Sequence, residues 1–180
     1  MNILEELGLK YGTDKGTKHH YLDVYYDLFK DKRNEVRKVL EIGVGEGAGL
    51  HMFRDFFPNA IIYGIDNQND RIFAEVGIKV FKADQSSKNQ LLEALDEILP
   101  GPNDLDLIID DGSHKPEDQI FTCLTLMPYL RLGNTIYIIE DVADENVAVE
   151  IMKGLPGYYV NVKKVGKRYD DRLVIVGKRP

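Results

Sequence analysis

The run Val39-Leu40-Glu41-Ile42-Gly43-Val44-Gly45-Glu46-Gly47-Ala48-Gly49 constrains this chain more than any other stretch. A short apolar segment meets glycines at alternate positions, and an apolar-periodic segment, Leu50 to Phe57, follows. That order describes a strand, a tight turn and the first turn of a helix. Glycine permits positive φ and lets a ligand approach the main chain closely. Such a turn, at the carboxyl end of a first parallel strand, is where open α/β sheets hold a nucleotide-type cofactor.

The rest of the chain supports a sheet of that kind. After a first strand at Lys38–Ile42, strands are expected at Ala60–Asp66, Lys79–Asp84, Leu105–Asp110 and Thr135–Glu140. Helices are expected at Leu91–Leu99, closed by Pro100-Gly101-Pro102, at Pro116–Leu130, ending near Gly133, and at Asn146–Lys153. Near-continuous apolar strands alternating with helices mean a parallel sheet covered on both faces. Tyr158–Val165 and Arg172–Lys178 are joined by a short polar turn, Gly166 to Asp171, so they form a hairpin with one antiparallel strand. The expected architecture is α/β and Rossmann-like: seven strands, mostly parallel, with a C-terminal antiparallel hairpin and helices on both faces. The 180 residues suit a single domain, 1–180. Residues 1–37 read as an N-terminal helical lid segment and 38–180 as the core. Within the lid, Met1–Tyr11 has the pattern of an amphipathic helix that stops at Gly12, and His19–Phe29 has that of a second. The aromatics of the second read as core packing. Gly12 to Lys18 between them is polar, and reads either as a surface connection or as a lid over a ligand.

Composition narrows the partners. The net charge is −7, and basic residues are scattered apart from Lys163, Lys164, Lys167 and Arg168, so a long phosphate-binding surface for nucleic acid is not expected. There is no run of 18 apolar residues, so no membrane span is expected. Met1 to Glu6 is acidic and does not read as a signal peptide. A lone cysteine, Cys123, excludes an intrachain disulfide, and a reducing cytoplasm is the simplest setting. Cys123 lies among Phe121, Leu124 and Leu126 and reads as buried and inert.

Every expected strand end is acidic. The ends carry Glu41, Asp66, Asp84-Gln85, Asp110-Asp111-Gly112-Ser113-His114 and Glu140-Asp141. Carboxylates gathered on one rim repel each other unless a cation or a polyol sits among them. Helix capping explains one such acid more readily than five. Asp66 follows Gly45 by about 20 residues, the spacing of a carboxylate on the two ribose hydroxyls of a nucleoside cofactor. The glycines fit both a dinucleotide fingerprint and a G-x-G-x-G turn preceded by Glu41. Glu41 and Glu46 beside the turn suit a cationic or zwitterionic ligand better than a pyrophosphate. The closing hairpin also departs from a second mononucleotide-binding half. Both features favour S-adenosylmethionine over a nicotinamide cofactor. Two rivals remain: a nicotinamide-dependent oxidoreductase, and a non-catalytic module binding S-adenosylmethionine or a carbohydrate. His19 and His20 are weaker site candidates, and His51 in the first crossover helix reads as structural.

The motif Glu41-x-Gly43-x-Gly45-x-Gly47, with Asp66 and Asp84-Gln85, resembles the cofactor site of class I S-adenosylmethionine-dependent methyltransferases. A narrower resemblance is carried by Tyr11-Gly12-Thr13-Asp14-Lys15, His20-Tyr21, Tyr25, Asp110-Asp111-Gly112-Ser113-His114 and Ile139-Glu140-Asp141. These are similar to a metal-dependent group of macrolide-sugar O-methyltransferases and cephalosporin hydroxylase-like relatives. The resemblance implies that Gly43, Gly45 and Gly47 wrap the methionine part of the cofactor, with Glu41 beside them. It implies Asp66 on the ribose and Asp84, Gln85 and Asp110 around the adenine. Thr13, Asp14 and Lys15 would close over the cofactor. Asp111, Glu140 and Asp141 would bind Mg²⁺, and His114, with Asp111, would serve catalysis as the general base. The implied acceptor is a small molecule, a sugar or glycoside. Sugar-modifying members carry a large additional N-terminal domain, and this sequence begins close to the Y-G-T-D-K segment. The acceptor pocket is therefore expected to be open or completed by a partner chain, and a homo-oligomer is left open.

Overall fold

The computed structural model describes residues 1–99, 104–131, 134–161 and 172–177. Pro100-Gly101-Pro102, Gly133, the turn from Gly166 to Asp171 and the basic residues Lys163, Lys164, Lys167 and Arg168 lie outside these described residues.

The chain begins with α1 (Ile3–Tyr11), capped where Asn2 accepts from the Leu4 and Glu5 amides at 3.0 Å while Glu5 accepts from the Asn2 amide at 2.6 Å. This reciprocal box satisfies donors that the first helical turn leaves open. Gly12 closes α1 at φ 73°. The polar stretch after it holds a single turn, α2 (Asp14–Thr17), capped by Thr13, before α3 (Tyr21–Phe29). Strands and helices then alternate: β1 (Lys38–Ile42), α4 (Ala48–Phe56), β2 (Ile61–Asp66), β3 (Ala74–Glu75), β4 (Ile78–Lys82), α5 (Lys88–Ile98) and β5 (Leu107–Asp110). The remainder is α6 (Pro116–Leu126), β6 (Ile136–Ile139), α7 (Glu145–Ile151), β7 (Gly157–Asn161) and β8 (Arg172–Val176). Pro128 removes the amide that would continue α6, and Met127–Tyr129 becomes a 3₁₀ turn rather than helix to Leu130.

One sheet runs in the order β3-β4-β2-β1-β5-β6-β8-β7. The strands from β4 to β6 pair in parallel, and β8 is antiparallel to both β6 and β7. The α/β architecture and the closing hairpin are as expected from the sequence, but the described residues form eight strands, not seven. The added strand, β3, pairs antiparallel with β4 across the two-residue link Val76-Gly77. Two residues are too few to display a period, which is why the pattern of apolar residues missed it.

Successive strand side chains point to opposite faces. Val39 of β1, Leu107 and Ile109 of β5, and Ile136 and Ile138 of β6 pack on one face, with Tyr21, Tyr25 and Phe29 of α3 and Phe53 of α4. Leu40 and Ile42, Ile108, and Tyr137 and Ile139 pack on the other, with α5, α6 and α7. The first 30 residues thus cover one face beside α4. Strand order reverses between β1 and β5, and the crevice at that switch point opens beyond the carboxyl ends of the strands.

The glycine turn meets its partner loop there. Gly43 has φ 84°, and a side chain added to it would put Cβ 2.1 Å from the Asp111 carbonyl oxygen. Gly45 has φ 53° with open space around it. Gly43→Ala therefore combines the cost of a left-handed backbone, about 1–2 kcal/mol, with an overpacking cost of about 1–3 kcal/mol. Gly45→Ala carries the first cost alone. Urea denaturation is expected to rank Gly43→Ala clearly below Gly45→Ala; equal stabilities would mean that the β1 turn is not pinned against the loop after β5.

Candidate active site

Alternation along the strands sorts the acids of the rim. On β1, Glu41 shares the face of Val39; beyond β5, Asp111 continues the face of Ile109; beyond β6, Glu140 continues that of Ile138. These carboxylates converge on Lys15 of α2, whose Nζ lies 2.5 Å from Asp111 Oδ2, 2.8 Å from Glu140 Oε2 and 3.2 Å from Glu41 Oε1. Lys15, Glu41 and Glu140 are buried, and the Glu41 Oε2 atom has no hydrogen-bond partner among the described residues. Burial opposes the charge on Lys15, but Asp111, Glu140 and Glu41 outweigh it and hold its pKa well above the ordinary value. Burial raises Glu41 to about 7 and Glu140 to about 8, with Lys15 pulling each back. One ammonium does not neutralise the whole group.

The outer acids, Asp111 and Asp141, face His114. Asp111 Oδ1 lies 3.0 Å from His114 Nε2, and His114 Nδ1 lies 3.5 Å from Asp141 Oδ2. Ligand atoms of Asp111, His114 and Asp141 all fall within 4.8 Å of one another. His114 and Asp141 are the two non-glycine residues with positive φ among the described residues, at 58° and 54°. A backbone of that kind costs about 1–3 kcal/mol and persists where surrounding structure enforces it. The hydrogen bond that Asp111 accepts, helped by the charges of Asp111 and Asp141 against burial, pushes His114 up to about 9. Glu140, grouped with Asp111 and Asp141 by resemblance, is turned elsewhere: it accepts from Tyr25 Oη at 2.5 Å and from Lys15.

The cofactor candidates line two adjoining cavities. One, of about 260 Å³, is bordered by Gly43, Asp66, Asp84, Gln85, Gly112 and Ser113. The other, of about 520 Å³, is bordered by Thr13, Asp14 and Lys15, by Glu41, and by the turn through Gly45. Gly43, Asp66 and Gly112 border both. Asp66 is fixed to the turn, accepting from the Val44 amide and the Gln68 amide at 2.9 Å. Gln85 Oε1 accepts from the Ser113 amide at 2.6 Å, and Gln85 Nε2 donates to Asp110 Oδ1 and Thr122 Oγ1 at 3.2 Å. Asp110 borders neither cavity among the described residues. It is buried on the other face with Tyr137 Oη 3.1 Å from its Oδ2, and burial raises it to about 7. Gly47 caps α4 at φ 82° and is held by His51 Nδ1, 2.7 Å from its carbonyl oxygen. Both acids that flank the turn have counter-ions, Glu41 in Lys15 and Glu46 in Arg71 at 2.5 Å. Their charge is thus a weaker argument against a pyrophosphate than the sequence suggests.

Of the two weaker histidine candidates, His19 is buried with Nδ1 3.4 Å from Asp141 Oδ1, and His20 is exposed. Cys123 is buried, and burial pushes its thiol up to about 12. Sequence reasoning missed the hydroxyls of Tyr21 and Tyr25. The available signal was their i, i+4 spacing, which puts both on one face of α3.

The comparisons with known proteins agree with this geometry. No family model matches the chain. It is 36% identical over 146 residues to mycinamicin VI 2''-O-methyltransferase of Micromonospora griseorubida, covering 77% of this chain and 35% of that enzyme. It is 35% identical over 146 residues to demethylmacrocin O-methyltransferase of Streptomyces fradiae, covering 77% and 36%. A solved structure of the MycE methyltransferase with Mg, SAH and mycinamycin VI superposes with a TM-score of 0.69 at 34% identity, over 78% of this chain and 39% of that one. Another MycE structure, with Mg and SAH, reaches a TM-score of 0.76 at 26% identity over 98% and 54%. The chain spans little more than a third of the length of the curated relatives it matches.

The pKa shifts set a pH dependence for the metal-free protein. Glu41, Glu140 and Asp110 hold their protons to higher pH folded than unfolded. Their contribution is complete below the unfolded carboxylate range, near about 4, and is lost as pH rises through about 7 to 8. His114 acts in the same direction, losing its contribution as pH climbs through about 9. The urea midpoint is expected to fall from about pH 6 to about pH 9; a constant or rising midpoint would contradict the buried, partly protonated rim. Lys15→Met leaves the carboxylates without their counter-ion. It is expected to cost about 3–5 kcal/mol at alkaline pH and less in acid, where the glutamates take protons.

Proposed function

We propose that this chain, a homologue of sugar O-methyltransferases on the class I S-adenosylmethionine-dependent methyltransferase fold, transfers a methyl group from S-adenosylmethionine to a hydroxyl of a sugar or glycoside. The observation that carries the reading is the convergence of Asp111, His114 and Asp141 within 4.8 Å, beside a cavity bordered by the glycine turn. In this reading the adenosyl group occupies the cavity at Asp66, Asp84 and Gln85, and the methionyl end follows the turn past Gly43 and Gly45 toward Glu41. Residues 12–18 close over that end, with residues 1–37 as lid and 38–180 as core of one domain.

The donor set fits a hard divalent cation such as Mg²⁺, which prefers carboxylate oxygens and keeps water or substrate oxygens for its other positions. Asp111, half-buried, and Asp141, buried, offer two such oxygens beside the exposed His114. Glu140 would join them only by exchanging a bond to Lys15 or Tyr25. Bound there, the cation would supply polarisation of the acceptor hydroxyl. His114 stands at the same rim, 41% exposed, and takes the acceptor's proton at a ring nitrogen. Without a cation, Asp111 and Asp141 keep His114 protonated near neutrality. Base competence therefore depends on positive charge balancing those carboxylates. Lys15 holds Asp111 by Oδ2 and leaves Oδ1 directed to the rim.

The experiment is a methyl-transfer assay with labelled S-adenosylmethionine and a panel of glycosylated macrolides, alongside calorimetric titration with SAH. SAH binding and label transfer that EDTA abolishes are expected; failure to bind SAH would overturn the reading. His114→Ala is expected to lower kcat about 10²-fold or more while SAH affinity stays unchanged. A near-normal rate would remove the base from His114.

A further inference from the structure

Tyr21 sits on the lid segment, far in sequence from the acids at the end of β6, yet it grips one of them twice. Its hydroxyl donates to Asp141 Oδ1 at 2.5 Å and accepts from the Asp141 amide at 3.3 Å. The ring is fully buried and stacks on His19, with centroids 4.7 Å apart. Asp141 is the residue held at φ 54°. Its other carboxylate oxygen, Oδ2, is the one that faces His114. A left-handed, buried aspartate needs something to hold both its backbone and its carboxylate, and the Tyr21 hydroxyl touches both. We propose that Tyr21 is a positioning residue for the cation site: it locks Asp141 in its strained backbone, occupies Oδ1, and so presents Oδ2 alone to the metal. The inference rests on the cation-assisted reading above. It explains why a phenol rather than a plain ring stands at this point of the helix face, one turn before Tyr25, which donates to Glu140. Outer hydrogen bonds of this kind are worth roughly 10- to 100-fold in metal affinity.

The test removes one oxygen and keeps the ring. In Tyr21→Phe, affinity for Mn²⁺ measured by calorimetry is expected to fall about tenfold or more, with SAH affinity unchanged and kcat restored at saturating Mn²⁺. In the Asp141→Ala background, adding Tyr21→Phe should produce no further loss. A folded Tyr21→Phe that binds Mn²⁺ within about twofold of the parent, or full additivity with Asp141→Ala, would overturn the inference. Should Tyr21→Phe fail to fold alone, Tyr21→Phe with Asp141→Gly is expected to fold, because glycine accepts the left-handed backbone and no carboxylate seeks the hydroxyl. Failure of that double variant would assign Tyr21 to the core instead. If the parent protein binds no Mn²⁺ at all, the cation-assisted reading fails first, and the inference falls with it; loss confined to the Tyr21 variants separates the two.

Discussion

The site depends on one buried ammonium. Lys15 inserts between Glu41, Asp111 and Glu140, which come from three strands and could not approach each other without it. Removing either partner from such a group leaves an uncompensated buried charge, which is far more costly than an exposed pair is worth. The compensation is incomplete by design of the sheet. With Asp141 the rim holds four acids, and the basic groups beside them are Lys15, His114 and His19. Burial, offset only in part by Lys15, raises Glu41 and Glu140, and the hydrogen bond to Asp111 holds a proton on His114. A rim of carboxylates that keeps protons in this way is also a rim that would accept a divalent cation.

The counter-charges and clamps come from outside the sheet. Lys15, Tyr21 and Tyr25 lie within the first 30 residues and reach acids about a hundred residues later. These contacts tie the α1–α3 segment to the ends of β1, β5 and β6. The same segment borders the larger cavity through Thr13, Asp14 and Lys15. One structural element thus both borders the cavity and positions the acids.

Much of this was legible in the sequence. The glycine run and the apolar strands identify the sheet, and the acids at the strand ends identify its working rim. The division of those acids between two faces was also legible. Glu41 follows Val39 by two residues, Asp111 follows Ile109 and Glu140 follows Ile138, while Asp110 shares the opposite face with Ile108. Counting parity separates Asp110 from the face that carries Glu41, Asp111 and Glu140. What the sequence could not express was the depth of Lys15. A polar, glycine-flanked stretch reads as a surface connection or a lid, and only long-range packing buries a lysine within it. The positive φ of His114 and Asp141 was hidden for the same reason, since it is enforced from elsewhere in the fold. The two-residue β3 was too short to leave a pattern.

Anomalous diffraction from crystals grown with Mn²⁺ and SAH tests the account most directly. It predicts a single metal peak between the carboxylates of Asp111 and Asp141, next to His114 and near the sulfur of the ligand. A peak elsewhere with those carboxylates bare, or no peak at saturating Mn²⁺, would contradict it.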